Sequence, residues 1–415
     1  MEGIRNKACG LDIHKKFIVA CIKDIQGVTL VGRYDRTHQD LLRLKEWIFE
    51  NNCDVVACES TSDYWVPIYD MLEGHIEMIV GNARDIKAIS HKKTDKVDAA
   101  WIATLSLHDL IPRSRIPDEE SRELRSLIRL RKNMVDKRTD FKNQVHHILD
   151  SCLFRLSSTL KDIFGKSGML ILNGIINGMP VEEIISTLPA KMCKRTDEIL
   201  EVLETTIPQS AMFRLKCCLD LIRDIDVQIG IIMQMVNRLV SANKRAIRIL
   251  SSIPGVGYLT AVTLIAEIGD FKDFSSGDKL ASWLGLVPTV MQSADYLRTG
   301  AITKRGSKIA RWILVQCAHA AARTLNTRFA DFYKRKVGSI GFGKAVVAIA
   351  RKIVTIMWHL IVNDEIYEEK DRYVRREVHI PTSKEPRYFN LKEILELVAS
   401  ANIFLAQPDP HVDSG

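Results

Sequence analysis

Three strand-like runs in close succession, ACGLDIH, KFIVACIK and VTLVGRY, open the chain between Lys7 and about Arg33, and they constrain its fold more than any other feature. The breaks at His14-Lys15-Lys16 and Asp24–Gly27 make them an antiparallel meander. Helical spacing of Leu41, Leu44, Trp47 and Ile48 then predicts a helix over 38–51, and CDVVACES (53–60) reads as a buried, β-branched strand with a polar end. A helix at 63–73, a strand EMIVGN at 77–82 and a helix beginning near Lys93 follow.

Three antiparallel strands followed by alternating helices and strands is the element order of an RNase H-like domain, though order alone does not select that fold. Beyond Pro112 and Pro117 the pattern changes. Leu127, Met134, Phe141 and Ile148 recur every seven residues, with Leu124, Ile128, Val135 and Leu149 beside them, which predicts a long coiled-coil-like helix over 118–150. A cationic run that includes Arg113, Arg122, Arg125, Arg129, Arg131, Lys132 and Arg138 reads either as a grip on phosphates or as a solvated helix face. Helices continue through 151–245. A third unit starts near 246, where SSIPGVGYLTAVTLIAEIGDF sets Pro254-Gly255-Val256-Gly257 between two helices, and a charged, proline-interrupted extension begins after about 366. The expected division is therefore 1–112, 113–245, 246–365 and 366–415.

Length and charge narrow the function classes. A chain of 415 residues exceeds one ordinary core, since domains usually run to roughly 100–200 residues. Nine cysteines in an odd set without a CxxC pair predict reduced, mostly buried thiols rather than a zinc site. A formal charge of +8 tilts the expected partner toward a polyanion. The start MEGIRNKACGLDIHKK has no long apolar leader, and no uninterrupted apolar stretch approaches a membrane span, so the expectation is a cytoplasmic protein without a membrane partner.

Four acids stand out against this background. Asp12 interrupts an apolar strand, where an ionised carboxylate needs an offsetting positive charge. Glu59 ends a strand, the place where ligands commonly bind α/β sheets. Asp95 and Asp98 are spaced to share one face of a helix. Singly, each has an ordinary structural reading as an ion-pair partner or a helix-start residue. Together they offer an oxygen-only donor set suited to Mg²⁺ or Mn²⁺, hard cations that assist phosphodiester chemistry.

The Pro-Gly-Val-Gly turn is similar to the hairpin of helix-hairpin-helix modules, in which glycines let backbone N–H groups approach a DNA phosphate; a tight helix–helix turn is the alternative. Farther on, Ser293 sits amid polar residues and is followed by Arg298, Lys304, Arg305, Lys308 and Arg311. A serine can attack phosphate, and nearby cations stabilise the charge that develops, but by itself Ser293 reads as a loop serine.

GLDIHK, ESTSDY and KTDKVDA near the N-terminus, and IPGVGYLTA with AEIGD, WLGLVP and ITKRGSKIAR near the C-terminus, together resemble the DEDD transposases of the insertion-sequence-110 family, serine recombinases guided by a structured bridge RNA. The resemblance implies an α/β RNase H-like (RuvC-type) N-terminal domain, a helical coiled-coil dimerisation segment, and a mainly α C-terminal transposase domain with a helix-hairpin-helix-like element. It assigns Mg²⁺ binding to Asp12, Glu59, Asp95 and Asp98, and attack on DNA to Ser293, with Ser282 and Ser307 as less well aligned candidates. Nucleic-acid contacts are expected at Lys15, Gly255, Gly257, Arg298, Lys304, Arg305 and Arg311. The implied partners are donor and target DNA, a guide RNA, and further copies of the chain in a homodimer or homotetramer. One departure is Ala294, where the family's serine is usually followed by glycine. The competing activities are a metal-dependent nuclease or junction resolvase using water at the same acids, and a binding protein that has lost its chemistry.

Overall fold

The computed structural model describes residues 5–60, 62–83, 86, 95–293 and 296–369, with the backbone alone at 95–97, 193, 290–293 and 296–299. The chain divides into two compact units, Met1–Pro117 and Asp118–Gly415.

The N-terminal unit is built on five strands: β1 (Lys7–Ile13), β2 (Phe17–Asp24), β3 (Thr29–Asp35), β4 (Val55–Glu59) and β5 (Glu77–Gly81). Their order is β3-β2-β1-β4-β5, with β1 antiparallel to β2, β2 to β3, and β4 parallel to both β1 and β5. Parallel neighbours need crossovers, and helices α1 (His38–Glu50) and α2 (Val66–Leu72) supply them. Thr37 starts α1 as an N-cap, its side chain accepting from the Asp40 amide.

Both faces of the sheet are covered, which is why the central strands carry apolar residues almost without alternation. Cys9, Leu11, Val56, Cys58 and Val80 pack on one face with Leu44 and Ile48 of α1 and Ile68 and Leu72 of α2. Ala8, Val55, Ala57 and Ile79 pack on the other with Ile102 and Leu105 of α3 (Asp95–Leu107).

The second unit is mostly helical: α4 (Glu119–Ser151), α5 (Leu156–Thr159), α6 (Lys166–Ile176), α7 (Val181–Ser186), α8 (Thr196–Leu203), α9 (Gln209–Leu239), α10 (Lys244–Ser251), α11 (Tyr258–Ile268), α12 (Gly277–Trp283), α13 (Lys308–Arg323), α14 (Arg328–Ile340) and α15 (Phe342–Val362). Asp118 caps α4, accepting from the Ser121 amide at 2.8 Å, and Glu119 and Glu120 add negative charge to its first turn.

The apolar stripe of α4 is used inside the chain. Leu124 and Ile128 share a core with Ile232 and Val236 near the end of α9. Val145, Ile148 and Leu149 share a second core with Ala211, Leu215 and Ile222 nearer its start. The two long helices therefore run antiparallel, with Arg138 paired to the buried Asp226 between the cores.

A two-stranded antiparallel hairpin, β6 (Pro288–Ser293) and β7 (Tyr296–Ile302), interrupts the helices and corrects the expectation of loop at Ser293. Helix α15 is long and apolar enough to cross a membrane by length and composition. Here Ile349, Ile353, Val354 and Met357 are fully buried in the larger core of this unit.

Candidate functional site

The strand register brings two of the predicted acids together. In the parallel pair β1–β4, Leu11 stands opposite Cys58, so the next residues along, Asp12 and Glu59, lie at the same level, Asp12 one residue before the end of β1 and Glu59 at the end of β4. Strand alternation puts Asp12 on the face of Gly10 and Ala8, and Glu59 on the face of Ala57 and Val55. That is the face covered by α3.

Gly10 lets α3 come close. A Cβ at Gly10 would lie 2.2 Å from the Ala99 carbonyl oxygen and 2.4 Å from the Ala103 nitrogen, so the helix backbone rests on the strand. The direction of α3 follows from two contacts. Its last residue, Leu107, accepts from the Arg5 amide two residues before β1, while Ala99 packs with Val19, the β2 partner of Asp12. Helix α3 thus runs antiparallel to β1 and begins at the strand end that carries Asp12. Asp98, half-buried, precedes Ala99; Asp95 is the first helical residue, and its side chain lies outside the described residues.

Asp12, Glu59 and Asp98 are thereby placed at one end and on one face of the sheet. The Asp12 side chain is 20% exposed, and its Oδ2 lies 3.1 Å from Nε2 of His14, two residues along the same strand direction. Period-two spacing from Asp12 is the sequence signal that points to His14. Among the described residues no group of three or more His, Cys, Asp and Glu side chains closes into a metal-ligand cluster.

The second unit holds Ser293, the last residue of β6, paired with Tyr296 across the hairpin. The side chains of Ser293 and Arg298, and the whole of Ala294, lie outside the described residues. The Ser307 hydroxyl is occupied as the N-cap of α13, accepting from the Ala310 amide at 3.1 Å, and Ser282 is exposed on α12.

The segments on either side of the hairpin pack backbone to backbone. A Cβ at Gly285 would meet the Arg305 oxygen at 2.4 Å, and one at Gly306 the Trp283 oxygen at 2.1 Å. Arg311 closes the same junction, donating to the Leu284 and Arg305 carbonyls at 3.1 and 2.7 Å, and partial burial lowers its pKa. Lys304 and Arg305 are exposed, and Lys15 is exposed in the β1–β2 turn of the other unit.

The Pro-Gly-Val-Gly turn joins α10 to α11. Gly255, at φ +86°, faces inward, where a Cβ would lie 2.5 Å from the Cys317 oxygen; Gly257 is exposed at the N-cap of α11. Much of the cationic run on α4 is neutralised within the fold. Arg129 makes a two-pronged bond to Glu267, which is 1% exposed, while Arg125 donates to the Ala266 and Glu267 carbonyls. Lys132 pairs with Asp136.

The chain matches two family models, a DEDD transposase model of the IS110 group over residues 9–154 and the transposase IS116/IS110/IS902 family model over 247–334. Together they cover more than half of it. The chain belongs to the IS110 family of transposases. It is a DNA transposase/recombinase, an enzyme whose substrate is DNA.

This transposase is 23% identical to the transposase for insertion sequence element IS1111A of Coxiella burnetii, over 87% of the chain and 91% of that relative. It is 24% identical to a probable family 20 transposase of Pseudomonas aeruginosa, over 75% of the chain and 84% of the relative. A pilin gene-inverting protein of Moraxella bovis is 31% identical over 36% of the chain and 46% of its own length. The first matched segment spans Asp12, Glu59, Asp95 and Asp98, and the second spans the α10–α11 turn and the hairpin with Ser293.

Proposed function

We propose that this transposase cuts and rejoins DNA by attack of the Ser293 hydroxyl on a phosphodiester positioned by a divalent cation at Asp12, Glu59, Asp95 and Asp98. The observation that carries the reading is the placement of Asp12 and Glu59 at the same level of adjacent parallel strands, with the start of α3 brought over them by Gly10. The strand order β3-β2-β1-β4-β5 supports an RNase H-like, RuvC-type fold for the first unit. The helix–turn–helix of α10 and α11 supports a helix-hairpin-helix-like element, with the exposed Gly257 as the backbone approach to a phosphate.

The donor set fits a hard cation: every proposed ligand atom is a carboxylate oxygen, and Asp12 is recessed without being sealed from solvent. Mg²⁺ or Mn²⁺ bound there would polarise the phosphoryl group. His14 orients the Asp12 carboxylate through their 3.1 Å contact. Ser293 Oγ forms a bond to phosphorus as the ester bond to one deoxyribose oxygen breaks, and the hydroxyl proton leaves with that oxygen. A hydroxyl from the exchanging strand then attacks the phosphoserine, releasing Ser293 and retaking the bond without net hydrolysis. Exposed Lys304 and Arg305, with Arg298, balance the charge on the phosphoryl oxygens.

A guide RNA sets the sequence preference, and two or four copies of the chain assemble on the DNA. The likeness to a pilin gene-inverting protein supports rejoining as well as cutting. The deciding experiment incubates labelled donor DNA with the purified transposase and Mg²⁺, then denatures it. A covalent protein–DNA adduct forms with the parent chain and is absent in Ser293→Ala. Cleavage by Ser293→Ala at the parental rate would instead assign the chemistry to water, as in a resolvase.

A further inference from the structure

Helices α4 and α13 frame an open groove of about 380 Å³ in the second unit, lined by Arg129, Lys132, Asn133 and Asp136 from α4 and by Lys308 and Trp312 from α13. The α4 residues repeat at helical spacing and so share one face; Lys308 and Trp312 are one turn apart. Trp312 is 48% exposed on a helix whose opposite side, at Ala310, Leu314 and Cys317, is buried. The indole is therefore not spent on the core.

Charge around that ring is held in place. The Lys132 ammonium lies 5.0 Å from the centroid of the Trp312 ring and is fixed there by Asp136 at 2.5 Å. Arg129 is anchored through Glu267 while half of its side chain remains in water. Lys308 is exposed. With Arg129 bound to Glu267 and Lys132 to Asp136, Lys308 is the exposed positive charge that the lining adds beside a flat aromatic surface. An acidic peptide would match the cations but offer no flat ring to the exposed indole; a base with its phosphate matches both. A duplex keeps its bases stacked and cannot offer one to Trp312.

We propose that this groove holds an unpaired nucleotide of single-stranded DNA, its base stacked on Trp312 and its phosphates against Lys308 and Lys132. Strand exchange, part of the function proposed above, exposes such a strand. The proposal does not depend on the carboxylates or on Ser293, since neither lines the groove.

Fluorescence anisotropy of the full chain with a labelled oligothymidylate of about 15 nucleotides, in EDTA, measures this binding apart from any metal-dependent step. Trp312→Ala should weaken it about tenfold, with Trp312→Phe recovering most of the loss. Lys308→Gln should flatten the slope of log affinity against log salt by about 0.7, and Asp136→Asn should tighten binding. The proposal is overturned if Trp312→Ala binds like the parent chain, or if affinity for a duplex falls by the same factor. Tighter binding of the matching oligouridylate RNA, with the same loss in Trp312→Ala, would assign the groove to RNA and overturn it as well.

Discussion

Gly10 of β1 lies directly beneath Ala99 of α3, with no room for a Cβ between the strand and the Ala99 carbonyl. This contact sets how closely the helix that starts at Asp95 approaches the strand that ends near Asp12. Gly10→Ala should destabilise the N-terminal unit at the upper end of the roughly 1–3 kcal/mol typical of overpacking, because the obstructing atoms are backbone and cannot rotate away. Thermal unfolding reads the loss, and DNA cleavage should fall even though every carboxylate is retained.

Substitution at the carboxylates should separate chemistry from folding. Asp12→Asn, Glu59→Gln and Asp98→Asn keep side-chain shape and remove a charged donor. Each should reduce Mg²⁺-dependent cleavage by at least a hundredfold, in the range of losses when charge stabilisation at a reacting phosphate is removed, with unfolding midpoints near that of the parent. Unchanged cleavage in all three would remove the N-terminal unit from the reaction.

His14→Ala should act through Asp12. With the 3.1 Å contact gone, cleavage should fall and more Mg²⁺ should be needed for half-maximal rate, a loss on the order of tenfold to a hundredfold for an outer partner of a metal ligand. His14→Asn, which keeps a hydrogen-bonding group, should recover part of it. An unaltered Mg²⁺ requirement would make His14 a bystander.

The Arg129–Glu267 pair predicts an asymmetry. Arg129→Ala strands a carboxylate that is 1% exposed, with Arg125 at 3.9 Å its remaining ion-pair partner among the described residues, and should cost about 3–5 kcal/mol. Glu267→Gln should cost less, because the half-exposed Arg129 reaches water and the amide oxygen still accepts. Urea unfolding of the two variants tests the ordering.

Thiol reactivity and pH dependence follow from burial. Desolvation pushes Cys53 up to about 11 and Cys317 up to about 12 from the ordinary 9.0, and raises Cys9 and Cys58 as well. Unfolding restores the ordinary value, so above about pH 9 the unfolded chain loses thiol protons that the folded chain keeps, and these groups make stability fall as pH rises. Below that pH they are protonated in both states and contribute no slope. Among the described cysteines, iodoacetamide should label the exposed Cys217 first and leave Cys9, Cys21, Cys58 and Cys317 protected until unfolding, which peptide mapping reads directly.

Local patterns made much of the N-terminal unit legible. The short breaks around Lys15 and Asp24 specified the meander, and the acid in VVACES marked a strand end, while Asp12 read as an interruption within ACGLDIH and the structure makes it the penultimate residue of β1. The hairpin over 288–302 was hidden because PTVMQS and YLRTGAI mix polar and apolar residues without a regular alternation. The seven-residue stripe of α4 announced a helix in need of a partner, but spacing along one helix carries no information on whether that partner is α9 of the same chain or another copy.

Charges show the boundary between sequence and tertiary structure most clearly. Residue order alone determined the kinds of elements, their succession, and the position of Glu59 at the end of a strand, because period and turn chemistry act over a few residues. Only the tertiary structure decided that Arg125 and Arg129 are bound to the end of α11 while Lys308 stays exposed beside Trp312. Ion pairing and burial depend on distances through space between segments far apart in the chain, and the local sequence does not contain those distances.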